Sequence, residues 1–442
     1  MINQILHRET IYALSSGGLP SGVAVVRLSG PHTRSIVEQI AGSVPPARHA
    51  RLSRFRNGGG ETIDRGLCIF FPGPTSFTGE DCAEFHLHGG RGVVRAMLEM
   101  ISSCKGTRAA EAGAFTQRAF LNGKMDLTGA EALADLIDAE TEAQRRFAIV
   151  NGSDAHRRLY GGWRQSLLQA RAFLEAELDF ADEADVPGSV SDRVWDELKA
   201  LQKMIEAHAA GYRRAEIVRE GLSIVILGAP NSGKSSLLNA LAKREVAIVT
   251  DEAGTTRDLL EVSLDIGGMK VNMVDTAGIR EHAAKVEAIG IERALKRASE
   301  ADLILYLQDA TDPQTVQLPE RLRILQVGTK ADLLPMPPVG KWDRLVSAVS
   351  GEGLPQLLDD IEKLCQPLQD ATGEILPFRG RHVEELQKAA EQIKAAVANE
   401  ELDLELRAED LRQAADALGR ICGEIGTEDI LGEIFSSFCI GK

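Results

Sequence analysis

Nothing in this chain reads as a membrane span, because no stretch stays apolar for the ~18 positions such a helix needs. The opening residues, Met1 to Thr10, lack the apolar heart of a signal peptide, which predicts a cytoplasmic protein. None of the six cysteines (Cys68, Cys82, Cys104, Cys365, Cys422 and Cys439) forms a C-x-x-C pair. That excludes zinc knuckles and a disulfide framework and predicts reduced thiols. An excess of positive charge is missing too: 50 Lys and Arg stand against 65 Asp and Glu, a net −15. Such a chain has no broad electrostatic grip on nucleic acid, so any RNA it holds needs a local patch or a partner protein. Repeats and low-complexity tracts are absent. What is present is an ordinary globular composition, 44% hydrophobic and 26% charged over 442 residues. That length suits about three domains.

The most informative stretch is Ser223-Ile224-Val225-Ile226-Leu227-Gly228-Ala229-Pro230-Asn231-Ser232-Gly233-Lys234-Ser235-Ser236. An apolar run of strand character meets G-x-x-x-x-G-K-S, and a helix-forming run from Ser236 to Lys243 follows. This is the setting of a phosphate-binding P-loop. Its glycines let backbone N–H groups wrap phosphates, and the helix N-terminus adds positive potential. Lys234 is then placed for the terminal phosphates and the Ser235 hydroxyl for Mg²⁺.

Four more segments follow in nucleotide-hydrolase order. Gly254-Thr255-Thr256-Arg257-Asp258 suits a switch loop in which Thr256 offers its hydroxyl to Mg²⁺. Val271 to Val274 reads as a buried strand delivering Asp275-Thr276-Ala277-Gly278, an Asp for the metal shell and a Gly N–H for the γ-phosphate. A strand from Ile324 to Val327 delivers Thr329-Lys330-Ala331-Asp332. Asp332 there accepts from the N1–H and 2-amino group of guanine, which adenine cannot supply. Leu345-Val346-Ser347-Ala348 ends another strand, with Ser347 and Ala348 placed for guanine O6. Five such segments in order mean GTP, not ATP.

Two positions set this GTPase apart. Ras-like enzymes carry a water-orienting Gln directly after the D-x-x-G glycine, and Ile279 stands in that place here. Glu287 is an acidic candidate for the task; the alternative is a surface glutamate. Asn231, inside the P-loop, is either a solvated turn residue or a ligand for a monovalent cation. Such a cation replaces an arginine finger, since phosphoryl transfer needs positive charge between β- and γ-oxygens.

Three blocks divide the chain. Residues 1 to about 120 mix β-like runs (Gly22 to Leu28, Gly66 to Phe71, Ala83 to His88) with helical tracts at Val93 to Ser102 and Ala114 to Leu121. Phe70-Phe71-Pro72-Gly73-Pro74 reads as a turn. From Leu127 helical spacing takes over, and the stripes Leu133, Leu136, Ile137, Phe147, Val150 and Leu167, Leu168, Leu174, Leu178 read as core. Strands and helices alternate from about 217 to 366, as a doubly wound sheet requires. Helical patterning then resumes at Val383, Leu386, Ala390, Ile393 and again at Leu411, Ala415, Leu418. The expected fold class is therefore multidomain. It comprises an α+β N-terminal domain (1–122), a discontinuous α-helical domain (123–216 and 368–442) and an inserted α/β P-loop GTPase domain of Ras-like type (217–367).

The chain ends Phe435-Ser436-Ser437-Phe438-Cys439-Ile440-Gly441-Lys442. Gly441 and Lys442 fit a prenylation box poorly. Taken alone the tail reads as a frayed end, with a redox or nucleophilic Cys439 as the functional alternative. The pair His86 and His88 shares one strand face without a third ligand, a poor metal site.

Taken together the sequence resembles the MnmE (TrmE) family of tRNA-modification GTPases along essentially its whole length. The resemblance rests on Phe71-Pro72-Gly73-Pro74, Phe77-Thr78-Gly79-Glu80-Asp81, His88-Gly89-Gly90, Arg118-Ala119-Phe120-Leu121-Asn122-Gly123-Lys124 and Ala134-Asp135-Leu136-Ile137-Asp138-Ala139. The five GTP motifs and the terminal Cys439-Ile440-Gly441-Lys442 complete it.

The resemblance implies a homodimer formed through the N-terminal domain, which binds a tetrahydrofolate derivative (5-formyl- or 5,10-methylene-) as one-carbon donor. It implies work with the flavoprotein MnmG, as a heterotetramer, to place a carboxymethylaminomethyl or aminomethyl group at C5 of the wobble uridine of certain tRNAs. By residue matching, Arg27, Glu84, Lys124 and Lys442 contact folate. K⁺ takes Asn231, Thr250, Glu252 and Thr255; Mg²⁺ takes Ser235 and Thr256; Glu287, Lys234 and Cys439 are catalytic. With the motifs, the GTP-binding set is Asn231, Ser232, Gly233, Lys234, Ser235, Ser236, Thr250, Asp251, Glu252, Ala253, Gly254, Thr255, Thr256, Asp275, Thr276, Ala277, Gly278, Thr329, Lys330, Asp332, Ser347 and Ala348.

The chain departs from the family at Thr329, where Asn is usual, and in the loop Ser15 to Gly22, which lacks P-G-R-G-G character. The competing function is a regulatory GTPase of ribosome assembly, but the basic RNA-binding appendage expected of that class is absent. A folate-binding module with a vestigial GTPase is opposed by the intact Lys234, Ser235, Asp275 and Asp332.

Overall fold

The structure, a computed structural model, describes residues 9–152, 154–179, 190–244, 246–248, 261–275, 301–315, 323–336, 340–398, 403–426, 428–436 and 438–441. The chain divides into two compact units. One comprises Met1–Ala134, His156–Arg164 and Leu418–Lys442, the other Asp135–Ala155 and Gln165–Ala417.

The first unit is built on a six-stranded mixed sheet of order β3-β4-β5-β2-β1-β6. Its strands are β1 (Thr10–Leu14), β2 (Ser21–Ser29), β3 (Arg51–Arg56), β4 (Thr62–Phe71), β5 (Cys82–Gly89) and β6 (Thr107–Ala109). Period-two alternation sends Val26, Leu28, Phe55, Cys68, Phe70, Ala83, Phe85 and Leu87 to one face. There α1 (Thr33–Ala41) and α2 (Arg91–Ser102) cover them with Ile36, Val37, Ile40, Met97 and Ile101. Phe55 and Phe85 meet edge to face at 5.2 Å. The register lines up Leu52, Leu67, His86 and Val25 across β3, β4, β5 and β2 on the other face.

Phe70 and Phe71 are not part of a turn. They close β4, Phe71 opposite Cys82 and Phe70 opposite Ala83 with its ring 2% exposed, and the chain turns only at Pro72. The Phe70 ring gains more by burial on the core face than the neighbouring Pro-Gly-Pro takes away.

Helices α3 (Ala114–Leu121), α4 (Leu127–Ile137) and α13 (Glu428–Ser436) close the unit. Phe435 and Phe438 pack with Leu127 and Ala130. The terminal tail is not frayed here. Ile440 pairs antiparallel with Ala112, Ser15 Oγ donates to the Gly441 carbonyl at 2.8 Å, and Gly441 is buried. Gly441 (φ +94°) lies where a Cβ would run into the Leu14 carbonyl, so only glycine passes there.

Helical patterning after Leu127 is split between α4 and α5 (Glu142–Asn151), where Thr141 and Gln144 form a capping box. Phe147 is core as expected, but Leu133 and Leu136 are half-buried and Ile137 is exposed. The buried side of α4 is instead Leu127, Ala130, Glu131 and Ala132, because small alanines permit the closer approach. Long helices α6 (Ala155–Asp179), α7 (Val190–Ala209), α8 (Tyr212–Glu220), α11 (Gly380–Ala398) and α12 (Leu404–Cys422) carry the remaining stripes, with Leu168 only half-buried and the Leu178 side chain outside the described residues. Leu167, Leu174, Leu386, Ile393 and Leu411 are fully buried.

The second unit holds a sheet of order β12-β11-β10-β7-β9-β8. Its strands are β7 (Leu222–Gly228), β8 (Glu261–Ile266), β9 (Met269–Asp275), β10 (Leu303–Asp309), β11 (Ile324–Thr329) and β12 (Arg344–Leu345). All pairings are parallel except β8 with β9. Ile224, Val225 and Ile226 are buried on both faces of β7, as a sheet flanked by helices demands. Helices α9 (Lys234–Ala242) and α10 (Leu354–Asp370) belong to this layer. The parallel strands all end at one edge, which thereby receives Gly228, Asp275, Asp309 and Thr329, the place where open α/β sheets bind ligands.

Candidate functional site

Gly228 ends β7, and the loop to α9 turns through two left-handed residues, Asn231 (φ 62°) and Gly233 (φ 88°). Gly233 caps α9, so Lys234 begins that helix and the loop meets its positive end. The Lys234 ammonium is buried against the loop, donating to the carbonyls of Gly228 (3.0 Å) and Ala229 (2.8 Å). Ser235 Oγ donates to Asp275 Oδ2 at 2.7 Å, joining the P-loop to the end of β9. A hydroxyl and a carboxylate side by side form a hard oxygen pair that suits Mg²⁺. Asn231 is exposed at the loop's turn.

The second wall comes from β11. Thr329 is 5% exposed and its Oγ1 reaches the Ser232 carbonyl at 2.7 Å and that of Gln308 at 3.2 Å. Lys330 adopts a left-handed conformation (φ 58°) and pairs with Asp309 at 2.5 Å. Burial pushes the Asp309 carboxyl up, but the Lys330 ammonium with the Thr311 hydroxyl and N–H outweighs it, leaving the group at about 2. Asp332 stands exposed in the short 3-10 turn Ala331–Leu333. Ala331 N–H donates to the Val346 carbonyl at 3.2 Å, which joins that turn to the loop after β12. In that loop Ser347 Oγ accepts from the N–H groups of Val349 (3.2 Å) and Ser350 (3.0 Å), and Ala348 follows it half-buried. The structure thus gathers Asn231 to Ser236, Asp275, Thr329, Lys330, Asp332, Ser347 and Ala348 at one sheet edge. Thr250 to Thr256, Thr276, Ala277, Gly278 and Glu287 lie outside the described residues.

The first unit carries a separate cluster. Arg27 on β2 and Glu84 on β5 are register partners, and Arg27 Nε donates to Glu84 Oε1 at 3.0 Å. The same guanidinium lies 6.0 Å from the Phe77 ring centre and 5.8 Å from that of Phe115. His86 Nε2 is 3.2 Å from the other Glu84 oxygen. The sequence weighed His86 only as a metal ligand and Phe77 only as part of a motif, and gave Phe115 no site role; strand alternation puts His86 on Glu84's face, two residues on. A carboxylate between two cationic or N–H-bearing partners, beside an exposed aromatic ring, fits a flat heterocycle with an N–H edge. Lys124 is exposed in the turn after α3, its N–H bound to the Ala119 carbonyl at 2.8 Å. Cys439 is exposed beside the buried Phe438, and Lys442 lies outside the described residues. His88 bonds Asp64 at 2.9 Å, and the described residues hold no cluster of three or more metal-ligating side chains.

No described helix is long and apolar enough to cross a membrane. A family model for the MnmE helical domain matches residues 127–439, and one for the GTP-binding protein TrmE N-terminus matches residues 10–124. Over 442 residues the chain is 58% identical to the "tRNA modification GTPase MnmE" of Chelativorans sp. (strain BNC1), covering 100% of both chains. It is 56% identical to the protein of that name from Mesorhizobium japonicum, over 98% of this chain and 99% of the other. Among solved structures, the G domain of the T. maritima FeoB iron transporter overlaps 33% of this chain and 99% of its own, at 22% identity and a TM-score of 0.26.

Proposed function

The chain belongs to the MnmE family of tRNA modification GTPases, and from that premise we propose a potassium-activated GTP hydrolase that drives wobble-uridine modification. The observation that carries the reading is the joint between P-loop and β9, where Ser235 and Asp275 meet at 2.7 Å beside the buried Lys234. Lys234 exchanges its two loop carbonyls for the terminal phosphates. Ser235 and Thr256 would hold Mg²⁺ with Asp275 beside them, and the bound ion would supply positive charge to the phosphate oxygens. Asn231, with Thr250, Glu252 and Thr255, would hold K⁺, which would supply the charge an arginine finger brings elsewhere. Glu287 orients the attacking water in place of the missing glutamine. Asp332, Ser347 and Ala348 select guanine.

In the N-terminal domain Glu84 accepts from the pterin N–H edge of a tetrahydrofolate derivative. Arg27, Lys124 and Lys442 face its formyl oxygen or glutamate tail. Cys439 places an exposed thiol on the C-terminal segment, three residues before Lys442. The domain plan is 1–122 for folate and dimerisation, 123–216 and 368–442 for the helical domain, and 217–367 for the GTPase. A homodimer of this plan works in the cytoplasm with the flavoprotein MnmG, which shares the tRNA. That division suits a net charge of −15.

The deciding experiment is nucleoside analysis of tRNA from cells lacking the protein. Loss of a C5-substituted wobble uridine is expected. Intact tRNA together with stalled ribosome assembly would transfer the assignment to the competing class.

A further inference from the structure

We propose that the nucleotide pocket of this protein does not read purine N7, because Thr329 spends its hydrogen on the P-loop. The proposal rests on the GTP reading above and concerns how the base is recognised. Thr329 is the last residue of β11 and is 5% exposed. Its hydroxyl has one hydrogen to donate. Two carbonyl oxygens compete for it, Ser232 O at 2.7 Å and Gln308 O at 3.2 Å, and a carbonyl can only accept. The shorter contact ties the base-side strand to the phosphate-side loop.

The same side chain is fixed by packing. A Cβ built on Gly233 would sit 3.4 Å from both Cβ and Oγ1 of Thr329, so the P-loop turn rests against the threonine. The hydroxyl is therefore held by position and by its one hydrogen. The asparagine usual in the family at this place has two amide hydrogens and can serve two acceptors. A hydroxyl keeps the tether and gives up the second donation. Guanine N7 has only a lone pair to offer, so an oxygen whose hydrogen points elsewhere gives it no bond. Recognition then falls to groups that meet the other edge of the base, Asp332 at N1–H and the 2-amino group and the Ser347–Ala348 loop at O6.

The test is competition of unlabelled nucleotides against a fluorescent GTP analogue on the full-length protein. In the wild type, 7-deaza-GTP is expected to compete within about twofold of GTP, whereas a usual neutral hydrogen bond to N7 would separate them by about fivefold or more. Inosine triphosphate, lacking the 2-amino group, is expected to compete at least about fivefold more weakly than GTP. Thr329→Val keeps the shape and removes the tether, and it is expected to weaken GTP and 7-deaza-GTP by the same factor. Thr329→Asn is expected to favour GTP over 7-deaza-GTP; a wild-type result alone decides the matter if this variant does not fold. A wild-type preference for GTP over 7-deaza-GTP of about fivefold or more, or unequal losses in the valine variant, would overturn the proposal. Equal competition by inosine triphosphate would instead remove the guanine reading on which it rests.

Discussion

Arg118 and Glu80 meet at 2.6 Å inside the first unit, with 4% and 15% of their side chains exposed. The guanidinium also donates to the carbonyls of Ser29 (2.9 Å) and Glu9 (2.8 Å). Ser29 Oγ bonds the same Glu80 oxygen at 2.9 Å, and Asn122 Nδ2 donates to the Thr78 carbonyl at 2.6 Å. Two of the motifs that carry the family resemblance, around Phe77 to Asp81 and Arg118 to Lys124, are thus halves of one buried lock. Their role is to hold the loop after β4 against α3. Arg118→Met should leave Glu80 without its buried partner and cost about 3–5 kcal/mol, read as a lowered denaturation midpoint of the full chain. An unchanged midpoint would mean the pair sits in contact with water.

Potassium should raise GTP turnover strongly over sodium, through Asn231 in the P-loop turn. Steady-state phosphate release in the two salts checks this, and equal rates would remove the cation from the mechanism.

Glu287→Ala should abolish hydrolysis while sparing GTP affinity, because the residue is assigned to water rather than to the nucleotide. Single-turnover hydrolysis beside equilibrium binding separates the two; wild-type turnover would assign the water elsewhere.

Calorimetry with 5-formyltetrahydrofolate should show binding that Arg27→Ala weakens. Removing the guanidinium leaves Glu84 with His86 as its neighbour and takes a cation from the Phe77 and Phe115 rings. No heat with the wild-type protein would end the folate assignment.

The Asp309–Lys330 pair carries a pH signature. Asp309 titrates at about 2 in the folded chain, below the ordinary carboxylate value of 3.8. A depressed folded value stabilises fully above the unfolded pKa, and that contribution disappears as pH falls through the folded one. The melting-temperature gap between wild type and Asp309→Asn should therefore be full at neutral pH and shrink between about pH 4 and pH 2. A gap independent of pH in that window would show that the asparagine acts through packing.

The P-loop turn, the strands ending at Asp275 and Thr329 and the strand–helix alternation were legible because local chemistry dictates them. Glycines at Gly228 and Gly233, a lysine at a helix start and a carboxylate at a strand end each mean something within a few residues. The β3 strand was not legible, since Arg51-Leu52-Ser53-Arg54-Phe55-Arg56 carries three arginines with only Leu52 and Phe55 apolar, and Leu52 is exposed. The C-terminal tail misled for a different reason: its order comes from Ala112 and Ser15, hundreds of positions away, and no local rule can announce such partners. Thr329 stood in the sequence as a departure from the family. Only the fold disclosed that its hydroxyl faces the P-loop carbonyl, because β11 and the loop after β7 become neighbours through the sheet.

The sequence by itself determined the chemistry available: a P-loop motif, an aspartate just after a parallel strand, a chain of net negative charge and an Arg-Glu pair awaiting alignment. Tertiary structure decided which of these groups meet. Strand register set Arg27 against Glu84, helix packing buried Arg118 against Glu80, and parallel order brought Asp275 to Ser235. Contacts of that kind depend on where distant segments come to rest, and burial of the shared apolar core sets those positions.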